Sequence, residues 1–168
     1  MTLPEILEWL QTTTVATTIQ ESQYGFPLMV GMHILGLGLS VGTLLWVDLR
    51  LIGVTRLGSR VSDVYRSLAP WFLFGFTMML MSGAMLFAAY ATAAYGNTYF
   101  RIKMTALVLA GANALFFHTA TQREQASWDD SPRPPVAARV AGFTSLALWA
   151  VVILAGRMMS YTVFSSPP

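Results

Sequence analysis

Apolar residues run through this chain in long blocks, rather than in the alternation of a strand or the one-sided stripe of a soluble helix. Ser22–Val47, Ser67–Phe100, Met104–Gln122 and Val140–Gly156 contain no Asp, Glu, Lys or Arg. A hydrocarbon core about 30 Å thick takes roughly 20 apolar residues to cross as a helix, and each block approaches or exceeds that length. The pattern predicts four spans, at about 27–53, 68–93, 102–120 and 139–163. The expected fold class is all-α: a polytopic membrane protein with four transmembrane helices in an up-down bundle. Residues 25–168 form this transmembrane domain, and residues 1–24 precede it as a separate segment.

That segment has its own period. Thr2, Pro4 and Glu5 have the spacing of a helix start, with Thr2 as N-cap and Glu5 closing a capping box. Leu3, Ile6, Leu7 and Leu10 then fall on one face and Glu5 and Glu8 off it, which predicts a short amphipathic helix lying on the membrane surface. The Thr-rich stretch 12–18 continues it unevenly. Residues 54–67, the turn around Tyr95-Gly96-Asn97 and residues 122–138 are expected to be connections. Tyr90, Tyr95, Tyr99 and Phe100 at one face, and Trp46 and Trp71 at the other, suit headgroup belts.

Composition agrees with the blocks. Of 168 residues, 55% are apolar and 11% charged, against about 25% charged in a soluble domain. The few charges also orient the bundle. Arg50, Arg56, Arg60, Arg66, Arg123, Arg133 and Arg139 flank the first and third connections, while Arg101, Lys103 and Arg157 lie at the other ends. Seven against three places the Arg-rich side in the cytoplasm and both termini outside. The net charge of +2 is mostly this topology signal, with no call for nucleic acid. No cysteine is present, which excludes disulfides, thiolate zinc sites, iron–sulfur clusters and covalently attached haem. The acidic N-terminus makes a poor signal peptide and is expected in the mature protein. The common phosphate-loop, zinc-protease and dithiol motifs are missing, which argues against a stand-alone hydrolase or nucleotide-driven pump.

The first span carries Gly31, Gly36, Gly38 and Gly42. Gly38 and Gly42 form a GxxxG pair, Gly36 and Ser40 a small-xxx-small pair on a neighbouring face, and Ala106 and Ala110 a similar one on the third span. Such faces let another helix, or a second copy of the chain, approach closely.

Both histidines, His33 and His118, lie inside spans, where ionisable groups are costly and are functional candidates by default. Counted from the outer face, they differ in depth by roughly 15 Å, so a single haem is not expected to take both. The outer end is the richer one. There His33 shares its leaflet with Met29, Met158, Met159, Arg101, Lys103 and Arg157. An imidazole with three cations could hold haem b, the cations meeting its propionates. The same imidazole with the Met29, Met158 and Met159 thioethers could instead hold Cu(I). His33 could also pair with its symmetry mate in a twofold dimer, or serve only as a structural hydrogen-bonding residue. At the inner end Asp48, Arg50, Asn113 and His118 read as a structural polar cluster or a proton-linked site.

Met32-His33-Ile34-Leu35-Gly36-Leu37, Asp48-Leu49-Arg50-Leu51-Ile52-Gly53, Phe100-Arg101-Ile102-Lys103 and Gly156-Arg157-Met158-Met159-Ser160-Tyr161 occur in this order. With these motifs the chain resembles a family of small bacterial four-helix membrane proteins known only as a domain of unknown function, over nearly its whole length. The resemblance implies a bacterial inner-membrane location and no activity. His33, Asp48, Arg50, Arg101, Lys103, Asn113, His118 and Arg157 are the matching positions. The leading expectation is a haem b redox module with a periplasmic protein or a quinone as electron partner. The alternatives are a non-catalytic anchor or assembly subunit and a copper-handling membrane protein.

Overall fold

The computed structural model describes residues 2–55, 60–121, 125–129, 131 and 134–164. Arg56, Arg123 and Arg133, part of the charge count above, lie outside the described residues. The chain forms α1 (Leu3–Gln11), α2 (Thr14–Glu21), α3 (Gly25–Ile52), α4 (Val61–Ala89), α5 (Ala91–Gly96), α6 (Thr98–Phe116) with a π turn over Phe117–Thr121, α7 (Gln125–Trp128) and α8 (Val136–Phe164). No strand occurs among the described residues. Four helices are long and apolar enough to cross a membrane, at Gly25–Ile52, Val61–Ala89, Thr98–Thr119 and Val136–Thr162.

The ends of these helices follow from local chemistry. The Thr2 amide donates to Glu5 Oε2 at 2.9 Å, as the capping pattern predicts. The Thr-rich stretch breaks the helix instead of extending it. The Thr12 and Thr13 hydroxyls donate back to the Trp9 and Leu10 carbonyls at 2.8 and 2.7 Å, and a second helix, α2, begins at Thr14. Gly53 ends α3 at φ 85°, a left-handed cap that only glycine adopts cheaply. Asn97 opens α6 by accepting from the Tyr99 amide at 2.9 Å, and its own amide group donates to Thr162 at the end of α8.

α4 starts well before the apolar block suggests, so residues 61–67 are helix rather than connection. The reason is a cap supplied from elsewhere. Asp129, after α7, accepts from the Ser62 amide at 2.8 Å and from the Ser62 hydroxyl, while the Val61 amide donates to the Asp129 carbonyl. A carboxylate from a segment some 67 residues away thus satisfies the first turn of α4. Asp129→Ala is expected to lower stability by about 1 kcal/mol, the usual worth of an N-cap. Thermal unfolding in detergent measures it, and an unchanged midpoint would show that the cap contributes nothing.

α3 packs chiefly on α4, α6 on α8, and α3 again on α8, whereas α4 and α6 make no extensive contact. The α3–α4 seam is close because small residues meet there. A Cβ at Gly36 would stand 2.6 Å from the Met79 nitrogen and 2.7 Å from the Gly75 carbonyl oxygen. Ser40, one turn on, is fully buried at the same seam. The Gly36–Ser40 pair is therefore used inside the chain, while Cβ atoms at Gly31, Gly38 and Gly42 would meet nothing within 4 Å. Met79, Ala106, Trp149 and Val152 form a central core, and Val47, Leu51, Val61 and Ala138 a second one near the ends joined by α7. Much of the outside is apolar: Leu35 and Val108 are each 68% exposed. In water such a surface is a liability; against lipid tails it is not.

Candidate functional site

At the end carrying α1, α2 and α5, His33 points from α3 into the seam with α4. Its Nδ1 lies 2.9 Å from the Met79 carbonyl oxygen, and the Ser82 hydroxyl, buried beside it, is 3.3 Å from the same nitrogen. A carbonyl can only accept, so the bond requires the proton on Nδ1 and leaves the lone pair on Nε2. Nε2 faces Lys103 of α6, whose Nζ is 3.4 Å away. The ring fits because Gly83 has no side chain: a Cβ there would stand 2.9 Å from His33 Cε1. Gly156 of α8 lies behind the Lys103 stem, where an added Cβ would be in ordinary contact at 3.7 Å.

Of the residues expected around His33, the structure brings Lys103 into direct contact. Arg101 instead donates from Nε to the Tyr95 carbonyl oxygen and lies over the Tyr95 ring at 5.4 Å. Arg157 donates to the Tyr161 hydroxyl at 2.9 Å and covers that ring at 4.7 Å. Both arginines are exposed. Met29 and Met159 are half-buried and Met158 exposed, and Met79 meets His33 through its backbone carbonyl. Among the described residues no three His, Cys, Asp or Glu side chains group as a metal site.

Sequence reasoning placed Met85 of the second span in this leaflet but missed the α4 residues that meet His33. Met79, Ser82 and Gly83 orient and make room for His33, and the signal for them was slight: one Ser-Gly pair inside an apolar span. The two histidines are kept apart, as the depth count expects. Lys103 contacts His33, and His118 lies fifteen residues further along the same helix, which is about 20 Å at 1.5 Å per residue.

At the opposite end, Asp48 is 3% exposed and hydrogen-bonded to the Ser145 side chain of α8. Its second oxygen, Oδ2, has no partner. Arg50 donates to the Ser131 carbonyl at 3.4 Å. Asn113 donates from Nδ2 to the Ala141 carbonyl at 2.9 Å, tying α6 to α8. Asp48, Asn113 and His118 come together as walls of one cavity of about 550 Å³ between α4 and α6, floored by α3 and α8. His118 sits on the π turn, with its ring partly in the open.

A small all-α protein, with four helices apolar enough to cross a membrane and polar groups concentrated at the two ends of the bundle, is the class these features define. Within it the chain belongs to the Family of unknown function (DUF6644), whose model matches residues 6–162. No curated protein and no solved structure matches it.

Proposed function

We propose that the protein crosses a bacterial inner membrane four times, up and down, with both termini outside, and serves as a b-type haem module. The observation that supports this reading is the tethering of His33. Its Nδ1 donates to the Met79 carbonyl at 2.9 Å, which leaves the Nε2 lone pair, now facing Lys103, as the ligand atom. This is how protein imidazoles that bind metals are usually held, with the second nitrogen bonded to a carbonyl or carboxylate. The donor set fits a haem on these grounds: one oriented imidazole and a neighbouring amino group at 3.4 Å. Lys103 stands where a ligand to Nε2 would approach, so it would have to swing aside on its flexible stem, and its charge would then be available to a propionate.

Bound there, haem would supply one-electron transfer. The chain's own part is to fix the imidazole and to place the Lys103 cation beside it. A copper site draws less support, because Met158, one of its three thioethers, is exposed. An anchor or assembly role draws support from the open space over Gly38 and Gly42, which a second helix could fill.

The test is a preparation in mild detergent, followed by an absorption spectrum and metal analysis. A Soret band that disappears in His33→Ala supports the haem reading. A colourless, metal-free protein sinks both ligand readings, and stoichiometric copper without a Soret band selects the copper one. A reporter fused to the C-terminus is expected to be active only outside the cytoplasm; cytoplasmic activity overturns the orientation.

A further inference from the structure

We propose that the cleft between α4 and α6 binds a membrane hydroquinone, a neutral aromatic ring whose hydroxyl donates a hydrogen bond to Asp48 Oδ2. This rests on the membrane reading, since such a molecule arrives from lipid, but it does not require a haem at His33.

The cleft exists because α4 and α6 do not close on one another. Its volume of about 550 Å³ falls inside the roughly 300–1,000 Å³ of small-molecule sites. Leu73, Leu80 and Val108, all exposed to the surroundings, stand on its walls, so it is open sideways to the hydrocarbon. Asp48 lies four residues before the end of α3 at Ile52, roughly 6 Å along the axis from that end. The polar end of the cleft is therefore near the membrane face, and its apolar length runs inward.

The polar end tells the chemistry of the head. Asp48 is buried, and its Oδ2 has no hydrogen-bond donor among the described residues, which leaves an unmet acceptor at the head of the cleft. A carboxyl keeps an acceptor oxygen in either protonation state. Asn113 uses an amide N–H on the Ala141 carbonyl and retains an acceptor oxygen of its own. Among the described residues lining the cleft there is no Lys or Arg. A phosphate headgroup would thus meet a carboxyl with no Lys or Arg to balance it, and His118 alone as a basic group, whereas a neutral hydroxyl meets the acceptor it needs. The walls tell the chemistry of the body. Tyr65, Phe72, Phe76, Phe117 and Trp149 line the space, and aromatic faces and edges pack well on a ring.

The experiment uses the full chain purified in mild detergent, with a decyl-substituted benzoquinol kept reduced, the matching quinone, and phosphatidylglycerol as probes. Saturable quinol binding at one per chain is expected, with the quinone, which lacks the hydroxyl donor, about tenfold weaker. Asp48→Asn is expected to weaken quinol binding by about tenfold and to shift preference toward the quinone, because an amide N–H donates to a carbonyl. Gly111→Phe provides an independent check. Gly111 lines the cleft and a Cβ there meets nothing within 4 Å, so a bulky side chain can be placed at the cleft wall without a clash at its base. It is expected to abolish binding of both probes. The proposal is overturned if the parent protein shows no saturable quinol binding, if quinol and quinone bind alike and Asp48→Asn changes neither, or if phosphatidylglycerol displaces the quinol at stoichiometric amounts. A protein found in the soluble fraction would instead refute the membrane reading, which keeps the two failures apart.

Discussion

Gly36→Ala is expected to destabilise the protein strongly, while Gly38→Ala, the same chemical change two residues away, leaves it within about 1 kcal/mol of the parent. A methyl group at position 36 would lie 2.6 Å from a backbone nitrogen and 2.7 Å from a backbone oxygen of α4. Neither atom can rotate away as a side-chain tip can, so α3 and α4 must separate. That opens the most extensive helix–helix contact in the molecule. Overpacking costs about 1–3 kcal/mol where side chains can adjust, and this position belongs at or above the top of that range. At Gly38 the same methyl meets nothing within 4 Å. Thermal unfolding of both variants in one detergent measures the difference. Equal losses would mean that the Gly38–Gly42 face is also packed, by a second copy or another protein.

The second large effect is on the site rather than the fold. In Gly83→Ala the added methyl lies 2.9 Å from His33 Cε1 and 3.2 Å from Nδ1. The imidazole is the free end of a side chain, so it can turn, and the fold is expected to survive with little change in unfolding temperature. Turning breaks the 2.9 Å bond from Nδ1 to the Met79 carbonyl. Loss of such an orienting bond typically weakens metal affinity by about 10–100-fold, and haem retention is expected to fall by that order. Gly156→Ala is the matched control, because its methyl would sit in ordinary contact with Lys103 at 3.7 Å. Gly83→Ala retaining haem like the parent, while His33→Ala loses it, would show that the tether has no part in binding. A collapse in stability would instead mark Gly83 as a packing residue.

These two glycines show where reading the chain stopped. Gly36 and Gly38 look alike in sequence, each with a small partner four residues on, and only one face can meet α4. Which face does so depends on how the helices rotate and cross, and nothing local encodes that. Asp129 is a similar case. Its place in a polar connection was plain, yet its work is to cap a helix 67 residues away, which also explains why α4 begins earlier than its apolar block. Among the polar residues, His33 was legible as a costly group inside an apolar helix, and Lys103 as a cation in the same leaflet, which does reach it. Arg101 and Arg157 were grouped with them by depth alone, but each turns to a tyrosine close by in its own stretch of chain.

By itself, then, the sequence determined the helical class, the four long apolar segments, the Thr2–Glu5 start of α1, the end of the first span at Gly53 and the position of each polar residue along its helix. All of these depend on residues near one another in the chain, through hydrophobic run length, 1.5 Å rise and capping chemistry. Only the tertiary structure decided which faces pack, that His33 is tethered to α4 with Nε2 toward Lys103, and that α4 and α6 leave a cleft with the unpartnered Asp48 oxygen on its wall. Those outcomes rest on angles around the helix axes and on contacts between distant segments, and four uniformly apolar helices carry little amphipathic signal to specify them.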